Sequence, residues 1–259
     1  MDGFYAIQTI DERTLSYLTT KPDTTYLDHA GTTLYAKSLI ESFSRDLTSN
    51  LYGNPHSMSA PSQLSTQRVD DIRLRALRFF SADPEEFDLV FVANATAAIK
   101  LVADSFREST PQGFWYGYHV DSHTSLVGAR ELAGIGSRCF VTDAEVESWI
   151  SQLDTEPVQG PRLFAYPAQS NMNGRRFPRG WCGRIRESAK DTYTLLDVAS
   201  LVSTSPFDLS DASAAPDFAV LSFYKIFGFP DLGALIVRKS AGHIFDKRKF
   251  FGGGTVDMV

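Results

Sequence analysis

Short apolar runs that read as strands alternate along this chain with segments at helical spacing. That alternation restricts the fold more than any other feature. Residues 88–93, 114–118, 138–141, 162–166 and 192–196 are strand-like. Between them lie helical patterns: Ala97, Ala98, Leu101 and Val102; residues 126–132; Val146, Trp149, Ile150 and Leu153; and residues 179–190. Strands separated by helices of this length indicate a parallel sheet covered on both faces. The pattern breaks at the tail. Residues 218–223 and 232–237 are both strand-like, and only Tyr224 to Asp231 separates them. A parallel crossover needs a dozen or more residues, so these two strands are predicted to run antiparallel. The expected fold is therefore α/β, a mostly parallel sheet sandwiched by helices, with one antiparallel strand after Lys225. Ahead of the sheet, residues 36–47 (Leu39, Ile40, Phe43, Leu47) and 67–80 (Val69, Ile72, Ala76, Phe80) read as amphipathic helices.

Within this frame one residue points to chemistry. Lys225 stands in the run Leu221-Ser222-Phe223-Tyr224-Lys225-Ile226-Phe227, one ammonium among apolar and aromatic side chains. Desolvating an unpaired lysine is expensive, and a lysine forced into a dry site loses basicity and becomes a nucleophile. An amine of that kind can hold an aldehyde cofactor as a Schiff base. Asp197 closes another apolar run, Leu195-Leu196-Asp197. A lysine for the aldehyde and an acid for a pyridinium nitrogen are the protein groups that pyridoxal phosphate requires. The plain alternatives are a lysine snorkelling at a strand end and a carboxylate capping the next turn.

The remaining candidates are ambiguous singly. Asn94-Ala95-Thr96 joins a strand to a helix, where free N–H groups and a hydroxyl can cradle phosphate, although helix capping is the commoner use. Ser222 is a second candidate phosphate donor. His123 follows a strand and can stack on a ring or carry protons, or be a surface group. Asn171 lies in an Asn/Gly turn, and Gly252-Gly253-Gly254-Thr255 offers successive N–H groups to an anion. Arg175, Arg176 and Arg179 read as a solvated basic loop. Cys139, in a strand-like run, is expected to be buried, and Cys182, beside Trp181 in a basic stretch, to be more exposed.

A formal net charge of −6 with no basic stripe argues against nucleic acid. No apolar run is long enough to span a bilayer, and the first residues lack a signal peptide's pattern. The two cysteines make no metal or redox spacing, so a cytoplasmic, reducing setting is the default.

The motifs Tyr26-Leu27-Asp28-His29-Ala30-Gly31-Thr32-Thr33, Tyr52-Gly53-Asn54-Pro55-His56-Ser57, Leu196-Asp197 and Ser222-Phe223-Tyr224-Lys225 resemble the class V aminotransferases of the NifS-like cysteine desulfurase group. Pro167-Ala168-Gln169-Ser170-Asn171, the 123–130 stretch, the 222–230 stretch and the 251–256 stretch are similar to the molybdenum cofactor sulfurase branch, in its amino-terminal domain. The resemblance covers nearly the whole chain, in the family's order. It implies the large domain of the fold type I pyridoxal phosphate enzymes over residues 61–259, preceded by an amino-terminal arm and helix over 1–60. Lys225 would bind the cofactor and remove the substrate's α-proton. Asp197 would hold the ring nitrogen, His123 would stack on the ring, Asn171 would sit by its phenolate oxygen, and Ala95, Thr96 and Ser222 would hold the phosphate. Tyr224 stands where many desulfurases have histidine, and Ser200 where they often have glutamine. In a homodimer, Gly253, Gly254 and Thr255 would reach the partner's phosphate.

By the same resemblance the substrate is L-cysteine and the sulfur is passed to the molybdenum cofactor of a molybdoenzyme. The family's small carboxy-terminal domain, with its substrate-binding arginine and sulfur-accepting cysteine, lies beyond residue 259. Two readings follow: a desulfurase-type enzyme domain, or a truncated fold that binds cofactor or a partner without turnover.

Overall fold

The computed structural model describes residues 26–155 and 160–251. Two helices come first, α1 (Lys37–Ser49) and α2 (Ala60–Phe79). The sheet then begins with β1 (Phe87–Val92), α3 (Ala95–Ser109) and β2 (Trp115–His119). A short helix α4 (Thr124–Gly128) and a 3-10 turn (Ala129–Leu132) lead to β3 (Gly136–Phe140) and α5 (Asp143–Ile150). They are followed by β4 (Arg162–Pro167), α6 (Gly180–Ser188), β5 (Thr192–Asp197), β6 (Phe218–Ser222), a single helical turn α7 (Tyr224–Phe227) and β7 (Gly233–Arg238).

Among the described residues the sheet has seven strands, in the order β1-β7-β6-β5-β4-β2-β3. β7 runs antiparallel to β6 and to β1, and the other pairs are parallel. The expected architecture is therefore present, including the antiparallel strand after Lys225. Every residue of β6 is buried. Because strand side chains alternate between faces, Phe218 and Val220 enter one core and Ala219 and Leu221 the other. The first core is closed by α3, with Val102 and Phe106 fully buried. The second is closed by α5, α6 and the end of α2, around Trp149, Phe164, Tyr166 and Trp181. No helix among the described residues is long and apolar enough to cross a membrane.

Three details differ from expectation. α2 starts at Ala60, seven residues before the apolar periodicity begins, with a proline in its first turn where the missing N–H costs nothing. α1 buries none of its residues, and Phe43, Leu47, Val69 and Ile72 of the two leading helices are exposed. The two cysteines exchange roles. Cys139 is exposed because β3 is an edge strand with three of its five residues open to solvent. Cys182 is wholly buried on the core face of α6, its sulfur 3.1 Å from the Tyr166 hydroxyl.

Candidate active site

One pocket lies at the carboxyl edge of the parallel strands, where open α/β sheets keep their ligands. Lys225 enters it from α7, directly after β6. The side chain is half-buried rather than sealed in apolar surroundings, so the run around it overstates its desolvation. α7 ends at Gly228, whose φ of 74° is left-handed. A Cβ there would collide with the backbone of Leu34 and Tyr35. The 33–35 segment therefore passes directly over the lysine turn, and the Thr33 N–H donates to the Tyr224 carbonyl at 3.4 Å.

Asp197 arrives from the end of the neighbouring β5 and is 7% exposed. Its Oδ1 accepts the Ala199 N–H at 3.0 Å. Burial raises its pKa above the usual carboxylate value, while that N–H and the nearby His123 and Lys225 pull the other way.

His123 is the N-cap of α4. Its Nδ1 lies 2.7 Å from the Ser125 hydroxyl and accepts the Ser125 N–H at 3.2 Å, which fixes the ring at the pocket wall. Ala95 and Thr96 open α3, where the helix dipole and the Thr96 backbone and hydroxyl favour an anion. Asn94 itself caps that helix, accepting from the Ala97 N–H at 2.9 Å. Ser222 ties the two elements together, since its hydroxyl accepts the Ala95 N–H at 3.0 Å. Gly233 makes this approach possible. A Cβ there would lie 2.6 Å from both Asn94 Cα and the Leu221 carbonyl oxygen.

Asn171 also lines the pocket, with Gln169, Ser200 and Tyr224. The pocket thus gathers Ala95, Thr96, His123, Asn171, Asp197, Ser222 and Lys225 from separate parts of the chain. Thr255 and the glycines before it lie outside the described residues. Ser125 lines the pocket too and was not anticipated. Its place two residues beyond His123, within reach of the ring, was the available signal. Arg175 and Arg176 are exposed, as expected of a solvated basic loop, but the three arginines are also partnered. Arg175 pairs with Asp121 and Asp143, Arg176 bonds Gln169 and Ser205, and Arg179 bonds the Asp208 carbonyl and lies over Phe207. Neither cysteine lines the pocket.

A doubly covered α/β sheet with an amine, a buried acid and a helix N-terminus at its carboxyl edge defines an enzyme-like cofactor-binding class. Comparison with known proteins narrows it. The family model for class-V aminotransferases matches residues 25–259. The molybdenum cofactor sulfurase of Aspergillus terreus is 79% identical over 240 residues, covering 92% of this chain and 29% of that protein. That of Aspergillus fumigatus is 76% identical over 257 residues, covering 98% of this chain and 30% of that protein. Among solved structures, the apo cysteine desulfurase of Thermococcus onnurineus NA1 superimposes with a TM-score of 0.75 at 21% identity, covering 96% of this chain and 62% of that one. A NifS-like protein from Rickettsia africae gives 0.72 at 18%, covering 89% and 61%. The structural likenesses establish the fold. The chain belongs to the class-V aminotransferase family, and it spans under a third of the length of the sulfurases it matches.

Proposed function

We propose that this chain is the pyridoxal phosphate-binding part of a cysteine desulfurase-type enzyme that moves sulfur from L-cysteine toward the molybdenum cofactor. The observation that carries the reading is the convergence of Lys225 and Asp197, from the ends of neighbouring strands, on one pocket with the N-terminus of α3. The residues fit the cofactor on their own terms. A buried carboxylate whose ionised form is disfavoured by burial suits a pyridinium N–H, which would favour that form. The first turn of α3 with the Ser222 hydroxyl suits a phosphate.

When bound, pyridoxal phosphate supplies an electron sink for a carbanion at an amino acid's α-carbon. The Lys225 Nζ would hold the cofactor's aldehyde carbon and then, released, take the substrate's α-proton. Asp197 would keep the ring nitrogen protonated. His123, held by Ser125, would cover one ring face, and Asn171 would donate toward the phenolate oxygen. A thiolate would take the sulfur as a persulfide, with the substrate's C–S bond breaking and its electron pair staying on the substrate carbon. With neither cysteine in the pocket, that thiol would come from outside the pocket's residues. This favours cofactor binding and proton exchange by the chain as given, with sulfur release dependent on a further segment. We place the protein in the cytoplasm and assign it a homodimeric form.

The test is direct. Protein mixed with pyridoxal phosphate develops a visible absorption band, Lys225→Ala loses it, and borohydride reduction fixes the pyridoxyl group on Lys225. A reduced label mapped to another lysine sinks the assignment.

A further inference from the structure

A polar cluster behind the pocket wall has no part in the chemistry above. Residues 169–176 form a small hairpin. Gln169 and Arg176 are bridged, the Ser170 N–H donates to the Arg175 carbonyl at 2.8 Å, and the Gly174 N–H donates to the Ser170 carbonyl at 3.0 Å. Gln169 and Asn171 of this hairpin line the pocket. Its other side is held through Arg175. The guanidinium pairs with Asp143 at the start of α5 and lies 3.6 Å from Asp121, and it also covers the Phe177 ring.

Behind Asp143 stands His119, the last residue of β2, with no exposed surface. Its Nδ1 accepts the Asp121 N–H at 3.1 Å, which leaves the proton on Nε2. That Nε2 faces Asp143 Oδ1 at 3.6 Å, and both atoms are buried without a hydrogen-bond partner. Two orphaned, complementary atoms this close need only a small inward shift to bond. The Phe177 ring packs edge-on against the imidazole, with centroids 4.7 Å apart.

We propose that His119, Asp121, Asp143 and Arg175 form a positioning cluster that fixes the 169–176 hairpin, and with it Asn171, over the pocket. None of the four lines the pocket, so the cluster acts through the hairpin. Arg175 supplies the link from the hairpin, Asp121 follows β2, Asp143 opens α5, and His119 faces Asp143 from behind. The proposal rests on the pyridoxal phosphate reading, because it gives Asn171 a cofactor to meet.

The experiment titrates pyridoxal phosphate into wild type, Arg175→Met, Asn171→Ala and the double variant. It follows the visible band and its pH midpoint, with a thermal melt of each variant. Arg175→Met is expected to weaken binding about fivefold, within the range for residues sharing one network, and to shift the band's pH midpoint. The double variant is expected to lose no more than the worse single one. Asp143→Asn, which removes the charge at the other end without changing size, gives the same non-additivity, and Arg175→Lys recovers part of the loss. Full additivity of the two losses, or an Arg175→Met protein that binds like wild type, overturns the cluster's role. A wild-type protein with no band refutes the cofactor reading itself, and the cluster's role with it.

Discussion

Gly233→Ala is the sharpest perturbation of the way this fold builds its pocket. The new methyl would meet Asn94 Cα at 2.6 Å, the Leu221 carbonyl oxygen at 2.6 Å and the Asn94 carbonyl carbon at 2.7 Å. All three are backbone atoms, so no rotamer change relieves the clash. Relief requires the 94–95 turn to move away from β6 and β7. Overpacking of this kind costs about 1–3 kcal/mol. The displaced turn also strains the 3.0 Å bond from the Ala95 N–H to Ser222, worth about 1 kcal/mol. A total of about 2–4 kcal/mol corresponds to a melting point lower by roughly 4–16 °C for a domain of this size. Because the same turn opens α3, cofactor affinity is expected to fall together with stability. The assay is a thermal melt with and without pyridoxal phosphate, with Gly242→Ala as control, since nothing lies within 4 Å of the Cβ added there. A Gly233→Ala protein that melts within a degree of wild type and binds cofactor equally would refute the claim that this close approach seats the site.

Native protein treated with a thiol reagent near pH 8 should label Cys139 alone, and Cys139→Ser should abolish labelling; burial pushes the Cys182 thiol up to about 11 and seals it from the reagent. Burial lowers the His119 pKa against the raising charges of Asp121, Asp143 and Glu145, with Arg175 adding to the fall. The unfolded chain therefore binds more protons than the native one just below the ordinary histidine pKa of about 6.5, and stability is lost as pH drops through that value. His119→Gln should flatten this loss between pH 7.5 and 5.5 in denaturant titrations, and an unchanged slope would count against it. Asp197→Asn should retain the fold but weaken pyridoxal phosphate binding by roughly tenfold, a charge-assisted bond's worth of 1.5 kcal/mol or so, as read by the visible band.

The sheet was legible in the chain because its central strands are buried on both faces and so read as unbroken apolar runs, as in Phe218 to Leu221. The antiparallel final pair followed from chain length alone, since residues 224–231 cannot carry a crossover. That Lys225 and Asp197 meet in one pocket was legible because a lone charge within or at the end of an apolar run has few structural uses. The cysteines were misread for opposite reasons. Cys139 lies beside Phe140 and Val141 in a strand pattern, and nothing local says that β3 is the sheet's edge. Cys182 sits among arginines, but Trp181, Cys182 and Ile185 share one helical face that points inward. The arginine loop is exposed as expected, but its pairing through Arg175 was not legible because the partners Asp121 and Asp143 are distant in sequence. A local pattern cannot show a charge pair made across elements.

The position of β7 bears on how such a chain acquires its structure during synthesis. Among the described residues it is the last strand of the sheet, yet it lies inside the sheet, between β1 and β6, and β1 has no other ladder partner there. A nascent chain that has emerged only as far as β6 therefore carries β1 as an unpaired strand, its backbone groups open to any passing edge. Pairing must bridge most of the chain's length, so the first strand made is among the last secured, and the interval between them is when a ribosome-bound intermediate of this fold is most exposed to misassembly.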